Sequence, residues 1–255
     1  MRLVLLLLAL LLATPAFADS ASAPFALYAA GRYEDAMKAG AAANNATGYS
    51  IAARAALADA SARDRPCLDC LKRAEDYARR ATASDPKQPD GHTYLAVSLG
   101  LEARIVGPVI ARLHDYPGEA KTELDAALSD DPKNFWALAA LGGWNVEIVR
   151  TGGDRLADWL YSASLAKGLE SFAAAVKGAP NNIAVRYQIG LSLAGYDPDR
   201  FRDQILDAWT RAAAGTPGTA YEKLAQKRAG ELLDLLKRND RRRLDARVRK
   251  YQGYP

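Results

Sequence analysis

Cysteine, histidine and methionine each occur only twice in this 255-residue chain. His92 and His114 stand apart, with no partner at ligand spacing, whereas metal sites gather several His, Cys or carboxylate ligands. No metal is expected. Strand signals are also scarce: Val, Ile and Thr are spread thinly, and no run alternates as a half-buried strand would. Charge of one sign is lacking too. The 34 Lys and Arg nearly balance 30 Asp and Glu, and a net charge of +4 is too small to imply nucleic acid. There is no Gly-x-Ser-x-Gly elbow. Gly152-Gly153 falls short of a phosphate-binding loop, since no Gly-x-x-x-x-Gly-Lys follows a strand. The carboxylates are scattered and are explained by i,i+4 pairing with Lys or Arg on exposed helix faces. These absences predict a non-enzymatic protein with no catalytic residues and no cofactor.

Ala and Leu are abundant, so the expected fold class is all-α. One spacing recurs four times, in Ala74–Ala78–Ala81–Pro86, Ala120–Leu124–Ala127–Pro132, Gly168–Phe172–Ala175–Pro180 and Ile205–Trp209–Ala212–Pro217. Intervals of four and three put three side chains on one helical face. The Pro then ends the helix, because it lacks an amide hydrogen and disfavours helical geometry in the preceding residue. An incomplete earlier copy shows in Gly31-Arg32-Tyr33-Glu34-Asp35-Ala36. Leu141-Gly142 and Ile189-Gly190 stand where two helices of a repeat would cross, with Gly allowing close approach.

These residues resemble the tetratricopeptide repeat family. The Pro-to-Pro periods exceed that family's repeat of about 34 residues by about 12, 14 and 3. A narrower resemblance runs from about Asp85 to Leu236, through Asp131-Pro132-Lys133-Asn134, Leu141-Gly142-Gly143-Trp144 and Ser171-Phe172. It is to the regulator of microtubule dynamics family, divergent tetratricopeptide proteins with similarly enlarged middle repeats. The resemblance implies a right-handed α-α superhelix of about five helix pairs with a non-enzymatic binding role. That family's cytoskeletal role does not transfer to an exported protein.

Export is expected from the start of the chain. Arg2, an apolar run from Leu3 to Ala13, Pro15 and Ala16-Phe17-Ala18 read as a cleavable signal peptide over 1–18. The run is too short for a bilayer span, which needs about 20 apolar residues. A periplasmic or secreted location follows. The repeat domain is assigned to 19–236, and a basic capping helix or tail to 237–255. The last segment holds Lys237, Arg238, Arg241, Arg242, Arg243, Arg247, Arg249 and Lys250. It is read as a solvated cap or as a contact for an anionic membrane surface.

Cys67-Leu68-Asp69-Cys70 is the one motif with a reactive flavour. Export favours a disulfide between Cys67 and Cys70. Two free thiols and a working redox pair remain as alternatives, although redox motifs of this spacing need a neighbouring sheet. Haem attachment is excluded, because Leu71 stands where a His would be required. Two insertions, from about Leu101 to Gly118 and from about Ile148 to Ala166, are too apolar for plain solvated loops. They are expected to lengthen helices and pack, or to form a lid or partner-binding edge.

Carrying the family's register across, the concave face is expected to hold Thr93, Val97, Trp136, Trp144, Tyr187 and Leu191. That set is mostly apolar, whereas a groove for acidic peptide ends would carry Lys and Arg. Two functions lead, with a redox enzyme using Cys67 and Cys70 as a third. One is an adaptor or scaffold that holds another envelope protein or peptide. The other is a binding protein that encloses a small apolar ligand, in the service of a transporter. An open groove favours the first and a deep, closed cavity the second.

Overall fold

The computed structural model describes residues 19–255, with side-chain surroundings from residue 23 onward. The signal peptide read over 1–18 lies outside the described residues. Among the described residues the chain is all-α, with thirteen helices and no strand. They are α1 (Asp19–Ala29), α2 (Tyr33–Ala42), α3 (Ala46–Ala62), α4 (Leu68–Ser84), α5 (Pro89–Val106), α6 (Pro108–Leu113) and α7 (Tyr116–Asp130). Then come α8 (Phe135–Tyr161), α9 (Leu165–Gly178), α10 (Ile183–Tyr196), α11 (Arg202–Ala214), α12 (Ala220–Lys237) and α13 (Arg241–Tyr251). None of these is long and apolar enough to cross a membrane.

The helices pack in consecutive pairs: α1 with α2, α3 with α4, α5 with α7, α8 with α9, α10 with α11 and α12 with α13. One helix of each pair also touches its counterpart in the next pair, through α1–α3, α3–α5, α5–α8, α8–α10 and α10–α12. The result is a solenoid-like array with an inner row of helices (α1, α3, α5, α8, α10, α12) backed by an outer row. The C-terminal basic segment supplies α13 and so completes a sixth pair.

Side-chain chemistry sets each boundary. Asn45, Asn134 and Asn182 cap inner helices α3, α8 and α10 by accepting backbone amides of the first turn, which satisfies donors the helix leaves orphaned. Pro89 opens α5 at a position where a missing amide hydrogen costs nothing. Thr219 and Glu222 form a reciprocal capping box on α12. Pro86, Pro132, Pro180 and Pro217 each fall just beyond the end of an outer helix: α4, α7, α9 and α11. After α4 and α7 the turn is held by Asp85 and Asp131, whose carboxylates accept the amides of Lys87 and Lys133 at 3.0 and 3.1 Å.

The repeated triplets of the outer helices form the seam of the array. Ala74, Ala78 and Ala81, then Ala120, Leu124 and Ala127, and finally Ile205, Trp209 and Ala212 are all buried. Gly142 of α8 faces the ring of Phe172, and Gly190 of α10 faces the indole of Trp209. A methyl at either glycine would overlap those rings. The Trp209 indole N–H donates to the Tyr187 carbonyl at 3.3 Å, which fixes the ring in that slot. Two apolar clusters meet along α8, with Trp144 and Val149 in the first and Val146 in the second.

Two glycines, with opposite surroundings, test this seam. Gly190→Ala is expected to cost about 1–3 kcal/mol through overpacking. Gly143→Ala, where nothing lies within 4 Å of the added carbon, should gain up to about 1 kcal/mol of helix propensity. Urea unfolding of both variants checks the contrast, and equal effects would contradict the seam.

Candidate functional site

The inner helices present their smallest side chains to the hollow of the array. Gly100 on α5 and Gly143 on α8 have open space where a side chain would start, and Ala96, Ala103, Ala139 and Ala140 stand near them along the same wall. Bulk is missing where it would be needed to fill the interior. A cavity of ≈ 980 Å³ results, lined by α3, α5, α8, α10, α12 and the C-terminus. That is the upper end of the range for small-molecule sites, roughly 300–1,000 Å³.

The hollow is closed on one side by the end of the chain. α12 touches α1 and α3, so the last inner helix meets the first ones. A methyl built at Gly31 would sit 2.9 Å from the Ala220 side chain. Arg228 of α12 donates to the Ser61 carbonyl at 2.8 Å, and Lys250 of α13 pairs with Asp64 at 3.2 Å. The Gln252 amide donates to the Leu191 carbonyl at 3.1 Å, and Arg104 donates to the Gln252 carbonyl at 3.1 Å. Tyr254, next to last in the chain, lays its hydroxyl on Glu147 and Arg150 of α8. Burial alone would raise the Glu147 carboxyl, but Arg104, Arg150 and Tyr254 outweigh it and hold it down at about 2. This clamp is therefore charged throughout the neutral range.

The two insertions also frame the cavity and meet the C-terminus through Arg104 and Arg150. The first extends α5 and adds the short α6, entered through Gly107 at φ 83°. The second extends α8 beyond a kink at Gly153, φ 73°. Both are left-handed geometries that favour glycine. Arg112 of the first donates to the Tyr161 hydroxyl of the second at 3.0 Å, so the two edges touch. Val109, Ile110 and Leu113 on one edge and Leu156 and Trp159 on the other are exposed, with Val109, Leu113 and Trp159 at 78%, 76% and 80%.

Of the residues anticipated for the concave face, Thr93, Val97, Trp136, Trp144 and Leu191 line this cavity. Thr93 turns its hydroxyl back to the Pro89 carbonyl at 2.8 Å, and the Trp144 indole N–H donates to the Pro117 carbonyl at 3.0 Å. Tyr187 is placed elsewhere. It is buried in the core beside α12, and its hydroxyl has no hydrogen-bond partner. Tyr187 shares a helical face with Leu191, but it lies one turn earlier, where α12 covers it.

Cys67 and Cys70 are joined as a disulfide, with 5.3 Å between their Cα atoms. Cys67 caps α4, its sulfur accepting the Cys70 amide at 3.3 Å. Neither cysteine borders the cavity. His92 bridges the Glu123 carboxylate at 2.6 Å and the Pro86 carbonyl at 2.8 Å, tying α5 to α7. Burial lowers the pKa of its imidazole, but these two acceptors outweigh burial and raise it. In the basic C-terminal segment, Arg238, Arg241, Arg243, Arg247 and Lys250 each face a carboxylate.

The polar residues of the cavity escaped the sequence reading. Arg54, Arg104, Glu147, Arg150 and Tyr254 all border it. One signal was available for Arg54: it is the only charged residue between Ala46 and Ala58, in an Ala-rich stretch otherwise suited to burial. No protein-family model matches this chain, and no curated protein does either.

Behind the cavity wall lies Glu102, fully buried on α5 and 2.6 Å from the Lys72 ammonium. Burial pushes its carboxyl up to about 7, against the pull of Lys72. Because the folded value lies above the ordinary 4.5, the stability this group contributes is complete below that value. It is lost as the pH rises through 7. Unfolding midpoints measured from pH 5 to 8 should therefore fall for the unaltered protein relative to Glu102→Gln. A constant difference across that range would contradict this assignment.

Proposed function

We propose that this protein is a non-enzymatic, exported binding protein that encloses a small apolar ligand inside a divergent tetratricopeptide-type array. The observation that carries the reading is the cavity: ≈ 980 Å³, faced by glycine and alanine and bounded by Trp136, Trp144 and Leu191. Apolar pockets with a few convergent polar groups are the usual form of a small-molecule site. An open groove suited to an extended peptide would lack the closure made by α12, α13 and Tyr254. The array reading draws support from the paired helices, the small-against-bulky seam and the prolines after each outer helix. Export is supported by the Cys67–Cys70 disulfide, a bond that persists in oxidising compartments. Contact with anionic lipid through 237–250 is the less favoured reading, since five of its eight basic side chains already face carboxylates.

N-phenyl-1-naphthylamine, an uncharged probe that fluoresces in apolar surroundings, tests the reading. It should bind the unaltered protein with micromolar affinity. Filling the cavity with Gly100→Leu and Gly143→Leu should weaken binding by about tenfold or more, roughly 1.4 kcal/mol, while the helical circular dichroism stays unchanged. Undiminished binding by this double variant would place the probe elsewhere and remove the reading.

A second reading, an adaptor for another envelope protein, is favoured by the exposed apolar edges at Val109, Leu113, Leu156 and Trp159. Exposed patches of this kind mark interaction sites. In crosslinking from intact envelopes, Leu113→Ser with Trp159→Ser should then lose a partner that the unaltered protein retains. The same partner profile for both proteins would argue against it.

A further inference from the structure

We infer that the enclosed ligand is an anionic amphiphile, and that Arg54 holds its carboxylate at one end of the cavity. The inference rests on the cavity-binding reading above and adds the chemical class. Arg54 projects from α3 into the cavity, where Tyr94 and Arg54 also border a second pocket of ≈ 420 Å³. Its guanidinium is caged by aromatic rings. The carbon at its centre lies 4.6 Å from the centroid of Tyr28, 5.3 Å from that of Trp136 and 5.7 Å from that of Phe25.

Stacking occupies the faces of a guanidinium and leaves its N–H donors in the plane, arranged to meet a carboxylate two at a time. The described residues offer them only the neutral hydroxyls of Tyr28 and Tyr94. Among the described residues, no carboxylate comes within 4 Å of Arg54. The other guanidiniums at the cavity have carboxylates near them: Arg104, whose buried Nε–H is unpartnered among the described residues, and Arg150 surround Glu147, and Arg112 lies 3.5 Å from Asp115. Asp90, on the first turn of α5, feels Arg54 without closing on it. Burial pushes the Asp90 carboxyl up, and Arg54 only partly offsets this. The cavity thus borders four guanidiniums and the single carboxylate of Glu147.

A cation drawn into apolar surroundings without a counter-charge is unfavourable. A ligand carboxylate relieves that cost, and the exchange is strongest where water is excluded. The hydrocarbon of the same ligand then lies over Val97, Gly100, Gly143 and Trp144, where the protein supplies no bulk of its own. The same positive excess rejects a cationic amphiphile of equal length, so the site discriminates by charge as well as by shape.

Calorimetric titration with dodecanoate and dodecanol tests this, since the two share a chain and differ in charge. The unaltered protein should bind dodecanoate about tenfold or more tighter than dodecanol. Arg54→Gln should erase that preference while leaving dodecanol affinity in place, and Arg54→Lys should keep part of it. Circular dichroism confirms that each variant is folded. A readout on Trp136 covers the case in which Arg54→Gln does not fold. A dodecanoate brominated beside its carboxylate should quench Trp136, and Trp136→Phe should remove that quenching. Quenching unaffected by Trp136→Phe, or equal binding of acid and alcohol, would overturn the carboxylate anchor and leave the cavity reading standing. If neither compound binds the unaltered protein, both readings fall.

Discussion

The close approach of paired helices, a bulky side chain of one against a glycine of the other, is the contact on which the array depends. Where an outer aromatic meets an inner glycine, as Phe172 does Gly142 and Trp209 does Gly190, the two backbones approach closely and the pair locks. Close-packed interiors leave no slack at such contacts. On their other face the inner helices carry Gly100, Gly143 and several alanines, which cannot fill the space they surround. Small residues on α8 and α10 thus tighten two of the pairs, and small residues on α5 and α8 leave a hollow in the array.

The walls of this apolar hollow include the two middle insertions and the C-terminus. The C-terminal wall is held by polar bonds, namely Gln252 on the Leu191 carbonyl, Arg228 on the Ser61 carbonyl and Tyr254 on Glu147. Hydrogen bonds of this kind fix a segment in register, where hydrophobic contact alone is non-directional. The insertion edge carries Arg104 and Arg150 of that clamp. It rests on two short segments entered through glycines in the left-handed region, with apolar side chains turned to solvent. The clamp and the insertions thus share residues, since Arg104 and Arg150 meet Gln252 and Tyr254 from within the inserted segments.

Much of the candidate site was legible in the sequence. The repeat register placed Thr93, Val97, Trp136 and Leu191 on the inner face, because helical spacing alone decides which side chains share a face. Trp144 also borders the cavity. The register did not separate Tyr187 from that set, since its rotation relative to α12 depends on how the last pair closes. The charged residues were beyond it for a related reason. Glu147 and Tyr254 are 107 residues apart, and no local pattern signals a contact between a helix and a C-terminal segment. Arg54 left a trace, one cation in an alanine-rich helix, but its aromatic cage draws on Phe25, Tyr28 and Trp136 from two other helices.

The amino-acid sequence by itself determined the helices, their ends and the faces they bury, because hydrophobic periodicity, proline and capping residues act over a few positions of the chain. Tertiary structure alone decided that the row of helices turns back until α12 meets α1 and α3. Small angular steps between successive pairs add up along the array, and their sum is a property of the whole packed chain. That sum decides how far the hollow is walled in. It also gathers residues from both ends of the chain, Arg54 and Tyr254 among them, around one hollow.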